Sequence, residues 1–524
     1  MPKNFIIILL FIFCLYGCGG DTEEHDDYLH LRLKDDPSSL DPAHIVDVPG
    51  GALSAKIYNG LVRFDRDAKI IPDLASRWDI SEAGRTYRFH LREGVKFTNG
   101  RAVTAEDVVY SLRRILDPEI NSPRSWLLES VKGADAFMSG ESDELAGIRT
   151  AGDGVVEIEL EAPSGLFLNF LAMPNASIIP REEVERAEPT FSDHPIGTGP
   201  FKLDEWRHNN RIILSANQDY FLGPPRLPGI EYRIIPEMLT AAVEFEQGNL
   251  DIMDVPRAEY KKYTTELPWK DQILSRVGLN SYYLGFNCQR PPFDNQLLRQ
   301  AFNYAIDREK IIDVILEGRA IPASGPVPPE LLPASAPGGY EYNSEKAKEL
   351  LARSGVELPL KVIFLFKADR EVLSVAEVIQ DYLKKVEIEL VLVQREWSSF
   401  KELVNKGEFD IFYLSWWGDY PDAENFLYPT FYSGNIGPGG NRSRFSDPEV
   451  DRLLREASEE TDPEARLKML STTEARVVDL APWVFLWHKK EVMVRQSRVK
   501  NYRIPLIYNG DKFDEIELIF SSKK

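Results

Sequence analysis

An α/β protein of two lobes is what this sequence predicts, and two observations carry the prediction. Short apolar runs alternate with helically periodic stretches in both halves of the chain. At 524 residues the chain also exceeds what one compact core accommodates. Two α/β regions of similar construction, joined in mid-chain, imply lobes with a cleft between them.

The elements follow in order. Lys3, the apolar run Phe5 to Tyr16, and then Gly17-Cys18-Gly19-Gly20 ahead of an acidic stretch have the layout of an export signal. The run falls below the ~20 residues a membrane-spanning helix needs, which favours a cleaved signal. Leu15-Tyr16-Gly17-Cys18 resembles the bacterial lipobox, whose Cys is lipidated and becomes the first mature residue; Tyr16 is bulkier than the small residue usual there, and ordinary cleavage nearby is the alternative. Cleavage at Cys18 would leave Cys288 as the remaining thiol, so no intramolecular disulfide is expected. Cys288 itself reads as a small buried hydrophobe.

Tyr28 to Leu33 alternates as a strand does, and Thr86 to Leu91 does so again. Thr104-Ala105-Glu106-Asp107 has the form of a capping box with Asp in the acidic position, and Val108, Val109, Leu112, Ile115 and Leu116 then share one helical face. Val155 to Glu161 is strand-like. Gly229 to Ile235, Leu239 to Gln247 and Leu250 to Met253 form a strand, helix and strand, a βαβ unit. The second half repeats that logic with strands at Leu360 to Phe366, Ile388 to Val393 and Glu408 to Leu414, and helices at Glu371 to Lys385 and Ser398 to Asn405. Such alternation predicts a mainly parallel sheet with helices on its faces. Pro322 to Gly339, rich in Pro, Gly and Ser, reads as an ordered surface loop.

Composition and motifs exclude more than they identify. A formal charge of −21 disfavours a nucleic-acid partner, which needs a basic face. No P-loop, His-Glu-x-x-His or Gly-x-Ser-x-Gly pattern occurs, and Gly197-Thr198-Gly199 lacks the third glycine of a dinucleotide fingerprint. The seven His are scattered without metal-ligand spacing. These absences leave no catalytic residue, metal or cofactor to name, although the two carboxylates of a glycosidase need share no local spacing and leave no such motif.

Ser415-Trp416-Trp417-Gly418-Asp419-Tyr420-Pro421-Asp422 sets a carboxylate between indoles and a phenol, directly after an apolar run. Taken alone, the commoner reading is a core strand end with Asp419 capping a turn. In α/β sheets, however, ligands bind beyond the carboxyl ends of strands. Asp419 lies past such an end, and so does Trp397, which shifts weight toward an aromatic crevice that grips a cation.

The run Thr86 to Leu112, which includes Phe97-Thr98-Asn99-Gly100 and Thr104-Ala105-Glu106-Asp107, closely resembles the family 5 extracellular solute-binding proteins, the oligopeptide, dipeptide and nickel receptors of ABC importers. The resemblance continues through Pro195 to Phe201, Pro291 to Asp294, Arg299 to Arg308 and Ser344 to Leu351. It spans nearly the whole mature chain in order.

That resemblance implies a two-lobed fold like that of the periplasmic binding proteins (type II, cluster C-like), with a discontinuous first lobe. The expected layout is a signal over 1–17 with the lipobox ending at Cys18, a tether over 18–27, lobe I over 28–280 and 488–524 with a subdomain inserted at about 61–190, and lobe II over 281–487. The crossings are expected near Asn280 to Phe286 and Trp483 to Lys490. It further implies a lipid-anchored, exported monomer that captures short peptides and delivers them to permease subunits. In peptide-binding members the Asp of Trp-x-x-Asp meets the peptide α-ammonium, a role that falls to Asp419; Trp397, Val48, Trp416 and Trp417 would line the pocket. Val404 and Tyr413 stand near where the oligopeptide receptors carry arginines for the peptide carboxylate, with Lys367 and Arg370 as substitutes or solvated charges. Asn280 and Trp417 occupy the places of a disulfide known in some relatives. Stacked tryptophans also suit an oligosaccharide, and a nickel chelate is the other family alternative. An exported hydrolase or a signalling receptor ranks lower.

Overall fold

The computed structural model describes residues 26–81, 84–187, 190–332, 339–437 and 440–520. The expected signal, Cys18 and most of the expected tether lie outside them, as do residues 333–338 of the expected loop.

Strand Leu29–Leu33 alternates buried and half-buried side chains, as its sequence dictates. It lies parallel to Gly229–Ile234 on one side and to Ile252–Asp254 on the other. The βαβ unit closed by helix Met238–Glu246 therefore exists, but the N-terminal strand is slotted between its two strands. Antiparallel neighbours Arg211–Ala216 and Phe201–Arg207 complete this side. In the second lobe Ile388–Arg395, Leu360–Lys367 and Ile411–Trp417 pair parallel, with helices Arg370–Lys384 and Trp397–Lys406 between them in sequence.

The large sheet is mixed, not mainly parallel, because its central strands are the crossings. Parallel neighbours need a crossover of a dozen or more residues. Here the chain enters the second lobe along Ile273–Val277 and Asn280–Phe286 and returns along Trp483–Arg495 in the opposite direction, so these strands pair antiparallel. The return strand belongs to both lobes. Its residues up to Lys489 pair with Asn280–Phe286 and Ala320–Pro322, and those from Lys490 pair with Ile273–Val277 and Ile252–Asp254.

A separate antiparallel sheet, ordered Ala75–Ser81, Thr86–Leu91, Val155–Glu159 and Ile148–Thr150, packs with helix Ala105–Leu116 around its own core, which includes Phe89, Val108, Leu112 and Phe167. The capping box forms: Asp107 accepts the Thr104 N–H at 2.8 Å.

The Arg299 to Arg308 stretch clamps the return strand. From helix Gln296–Ala305, Arg299 donates to the carbonyls of Leu480, Ala481 and Phe293. Arg308 donates to Ala323 and Phe485 at 2.7 and 2.9 Å. Asn303, fully buried, donates to the Trp483 carbonyl at 2.8 Å and accepts the Phe485 N–H at 3.2 Å. Glu371 adds an ionic node: Lys489 lies 2.6 Å from it, Arg257 3.0 Å and Arg319 3.2 Å. Burial opposes ionisation of Glu371, but Lys489 and the two arginines outweigh it and hold its pKa below the usual value. Asn303→Leu strands a buried N–H and a buried carbonyl, so a urea melt should show a loss of about 2–4 kcal/mol.

Candidate functional site

Strand Ile411–Trp417 pairs along its whole length with Asn280–Phe286, which brings Trp416 opposite Ser281 and Trp417 opposite Asn280. The strand thus runs through both indoles, beyond the Leu414 that sequence periodicity marks as its end. Asn280 and Trp417, the positions associated with a disulfide in some relatives, are direct cross-strand partners. The chain then turns sharply. Gly418 N–H donates to the Leu279 carbonyl at 2.9 Å, and buried Asn425 accepts both the Asp419 N–H at 3.1 Å and the Trp416 indole N–H at 3.4 Å. One amide side chain therefore fixes the indole and the backbone that carries the carboxylate.

Trp416, Trp417, Asp419 and Trp397 border one cavity of about 250 Å³. Trp397 opens helix Trp397–Lys406, whose first turn is capped by Glu396 through the Ser398 N–H at 2.8 Å. Its ring stacks on Phe400 at 5.8 Å between centroids. Trp397 and Trp417 are 47% and 52% exposed, so neither is a core residue. Val404 also borders the cavity, whereas buried Tyr413 packs near Trp487 and Tyr282.

Burial pushes the Asp419 carboxyl above the usual carboxylate range, and the charge of Arg124 opposes that rise. Among the described residues no cation stands within ion-pair distance of this carboxylate. Arg124 belongs to the other lobe and is held by the Val46 carbonyl at 3.2 Å. Tyr508, also across the cleft, has its hydroxyl pushed up to about 12 by burial, lowered by Arg124 and raised further by Asp419 and Asp47. Its ring lies against helix Val48–Ile57, where a Cβ on Gly51 would meet it at 2.3 Å.

Val48 begins that helix, 58% exposed, and does not border the cavity. Lys367 and Arg370 are exposed and do not border it either. The cations that do are Lys401 and Arg442, neither of them among the residues the sequence pointed to. Lys401 sits four residues after Trp397, on the same helical face, with its Nζ 5.5 Å from the Trp397 ring centroid. Arg442 comes from a loop whose sequence carries no local signal.

Beyond Asp419 the chain joins the lobes. Tyr420 packs into the core of the small sheet and meets Phe170 edge-on at 5.6 Å, while its hydroxyl donates to Glu424 at 3.0 Å. Asp422 takes a two-pronged bond from Arg466 at 2.7 and 2.9 Å. Burial, and then the negative charge of Asp422, push the Glu424 carboxyl up to about 7. Cys288 is a free thiol, pushed up to about 11 by burial.

Lobes linked by a shared strand, with a cavity at the carboxyl end of a sheet strand, define a protein that binds ligand between hinged halves. The profile "Bacterial extracellular solute-binding proteins, family 5 Middle" matches residues 69–438, and the chain belongs to that family. It is 32% identical to Heme-binding protein A of Haemophilus influenzae over 488 residues, covering 89% of this chain and 88% of that one. It is 28% identical to the dipeptide-binding protein DppE of Bacillus subtilis, covering 93% and 94% of the two chains. Among solved structures, the unliganded open form of the periplasmic murein tripeptide binding protein MppA superposes with a TM-score of 0.86 at 26% identity, covering 95% of this chain and 98% of that chain. Among the described residues no helix is long and apolar enough to cross a membrane.

Glu424 makes stability depend on pH. A carboxyl whose folded pKa is raised favours the fold when protonated, so its contribution is full below about 4.5 and is lost as pH rises through about 7. Glu424→Gln should flatten that segment of the stability profile and recover up to about 3 kcal/mol above pH 7, read from thermal or urea midpoints.

Proposed function

We propose that this protein is the exported receptor of an ABC importer, that it captures short peptides between lobes 28–280 with 488–524 and 281–487, and that Asp419 pairs with the peptide α-ammonium. The mature protein begins at lipidated Cys18, works as a monomer tethered to the membrane, and hands its ligand unchanged to permease subunits. Trp397, Trp416 and Trp417 wall the bound peptide on the Asp419 side, and Val48, which lies outside that cavity, joins them when the lobes close.

One observation carries this reading: Asp419 is a partly desolvated carboxylate beside aromatic walls, with no ion pair of its own among the described residues. Holding such a charge away from water is costly unless a ligand supplies the counterion. The dipeptide-binding and murein tripeptide-binding relatives support the same ligand class.

Heme is the second reading, favoured by the similarity to Heme-binding protein A. The residues that border the cavity include no His, Cys, Met or Tyr, the usual axial ligands. The cavity therefore favours the peptide.

Losing one partner of an enclosed ion pair costs ~3–5 kcal/mol. Asp419→Asn should accordingly raise the Kd for free di- and tripeptides by roughly 100-fold or more in calorimetry, with a thermal midpoint in the absence of ligand that is no lower than that of the native protein. Equal affinity of the native protein for N-acetylated and free peptides would remove the ammonium assignment, and a Soret shift on hemin titration without peptide binding would favour heme.

A further inference from the structure

The lobes touch outside the crossing strands as well. We propose that this contact is a second pivot: Gly165 and Phe170 of the small-sheet subdomain hold the 420–466 segment of the second lobe and thereby position Asp419. A peptide's amino terminus then meets its partner at the same place in the open cleft and in the closed one. The proposal rests on the assignment of Asp419 to the ammonium.

The subdomain moves with the first lobe because buried polar bonds tie the two together. Arg114 makes a two-pronged bond to Asp41 at 2.6 and 2.7 Å, and Asn175 donates to the carbonyls of Pro42 and Ile45 at 2.7 and 3.0 Å, all three side chains being buried. Parting them would strand buried polar groups.

From this body the turn before helix Phe167–Leu171 reaches across to the second lobe. Gly165 N–H donates at 3.0 Å to the Ser458 carbonyl, in the last turn of helix Pro448–Glu459, where carbonyls have no partner within the helix. The Tyr87 hydroxyl donates to the neighbouring Ser164 carbonyl at 3.2 Å and steadies the turn. The approach is close. A Cβ on Gly165 would meet the Glu460 carbonyl oxygen at 2.5 Å and Arg466 Nε at 2.6 Å. Beside it Phe170 takes the Tyr420 ring edge-on and is itself met edge-on by Trp126, 5.5 Å away.

The same segment is bonded to the hinge at its other end. Gly418 N–H donates to the Leu279 carbonyl, between Val277 and Asn280, where the entering chain changes lobes. A rigid body held at two points keeps one freedom, rotation about the line that joins them. Asp419 sits between the two holds, since Gly418 and Tyr420 are its chain neighbours, each Cα about 3.8 Å from its own. A group beside a hinge axis moves least when the halves turn. Neither Gly165 nor Phe170 borders the cavity, so both act through the segment they hold.

Hydrogen exchange on the full native chain reads the pivot. The Gly165 amide should be protected without peptide and equally so, within about twofold, at saturating Ala-Ala-Ala. An amide left open without peptide, or slowed well beyond that by it, overturns the pivot. Calorimetry reads the positioning as a ratio, the Kd of N-acetyl-Ala-Ala-Ala over that of Ala-Ala-Ala. Gly165→Ala, which pushes Glu460 away, and Phe170→Leu, which takes the ring from Tyr420, should each lower the ratio about tenfold by misplacing one charge-assisted bond. Lost stability alone would weaken both ligands alike. A ratio that both variants keep overturns the positioning role and leaves the ammonium assignment standing; a native ratio of one, or no binding of either peptide, removes that assignment and the positioning role with it, while exchange without peptide still decides the pivot. Should one variant fold poorly, the other and the native chain keep the test decisive.

Discussion

Everything in this molecule depends on one strand being hydrogen-bonded into two lobes at once. Trp483–Arg495 changes partners between Lys489 and Lys490, and the entering chain changes lobes between Val277 and Asn280. Relative motion of the lobes must concentrate at those few residues, because elsewhere it would break ladder bonds in a buried sheet. The polar clamp of Arg299, Asn303 and Arg308 follows from that constraint. Its carbonyl and N–H partners lie on or beside the shared strand, where no neighbouring strand is available to satisfy them. Glu371 sits at the same pivot with cations from the first lobe, the second lobe and the shared strand around it. An ionic node at a pivot can hold the halves in register without filling the cleft.

The site is built by the opposite logic. At the pivot Glu371 is ringed by three cations, whereas at the strand end Asp419 is held partly dry, with its backbone pinned by Asn425 and no ion pair among the described residues. Preorganisation of this kind moves the cost of ordering from the binding step into folding. The segment that follows, through Tyr420, Asp422 and Glu424, is anchored to the small sheet and to Arg466, so the carboxylate does not drift when the cleft is empty.

Much of this was legible in the sequence, for physical reasons that differ by element. The apolar runs from Leu360 and Ile388 announce parallel strands because one face of each packs into the core, with Val362, Phe364, Phe366, Ile388 and Leu390 buried, while Ile363 and Glu389 on the other face stay exposed. The direction of the crossing strands was not legible: Asn280–Phe286 and Trp483–Arg495 look the same read as parallel or antiparallel, and only the path between lobes decides. Trp416, Trp417 and Asp419 share a short segment, so their meeting needed only a strand end. Trp397 joins them because Ile388–Arg395, two strands away across Leu360–Lys367, runs in the same direction and ends on the same side of the sheet. Lys401 looked like any surface lysine of an amphipathic helix, although its spacing from Trp397 was there to be read. Arg442, Arg124 and Tyr508 come from distant loops or from the other lobe, and no local pattern marks them.

The distribution of tryptophans has a practical side. Trp397 and Trp417 stand about half in water at the cavity, while Trp483 and Trp487 in the shared strand are almost wholly dry. A ligand enclosed at the proposed site would change the surroundings of the first pair and leave the second pair as it was. The protein would then carry its own optical gauge of cleft closure, with an internal reference built into the shared strand.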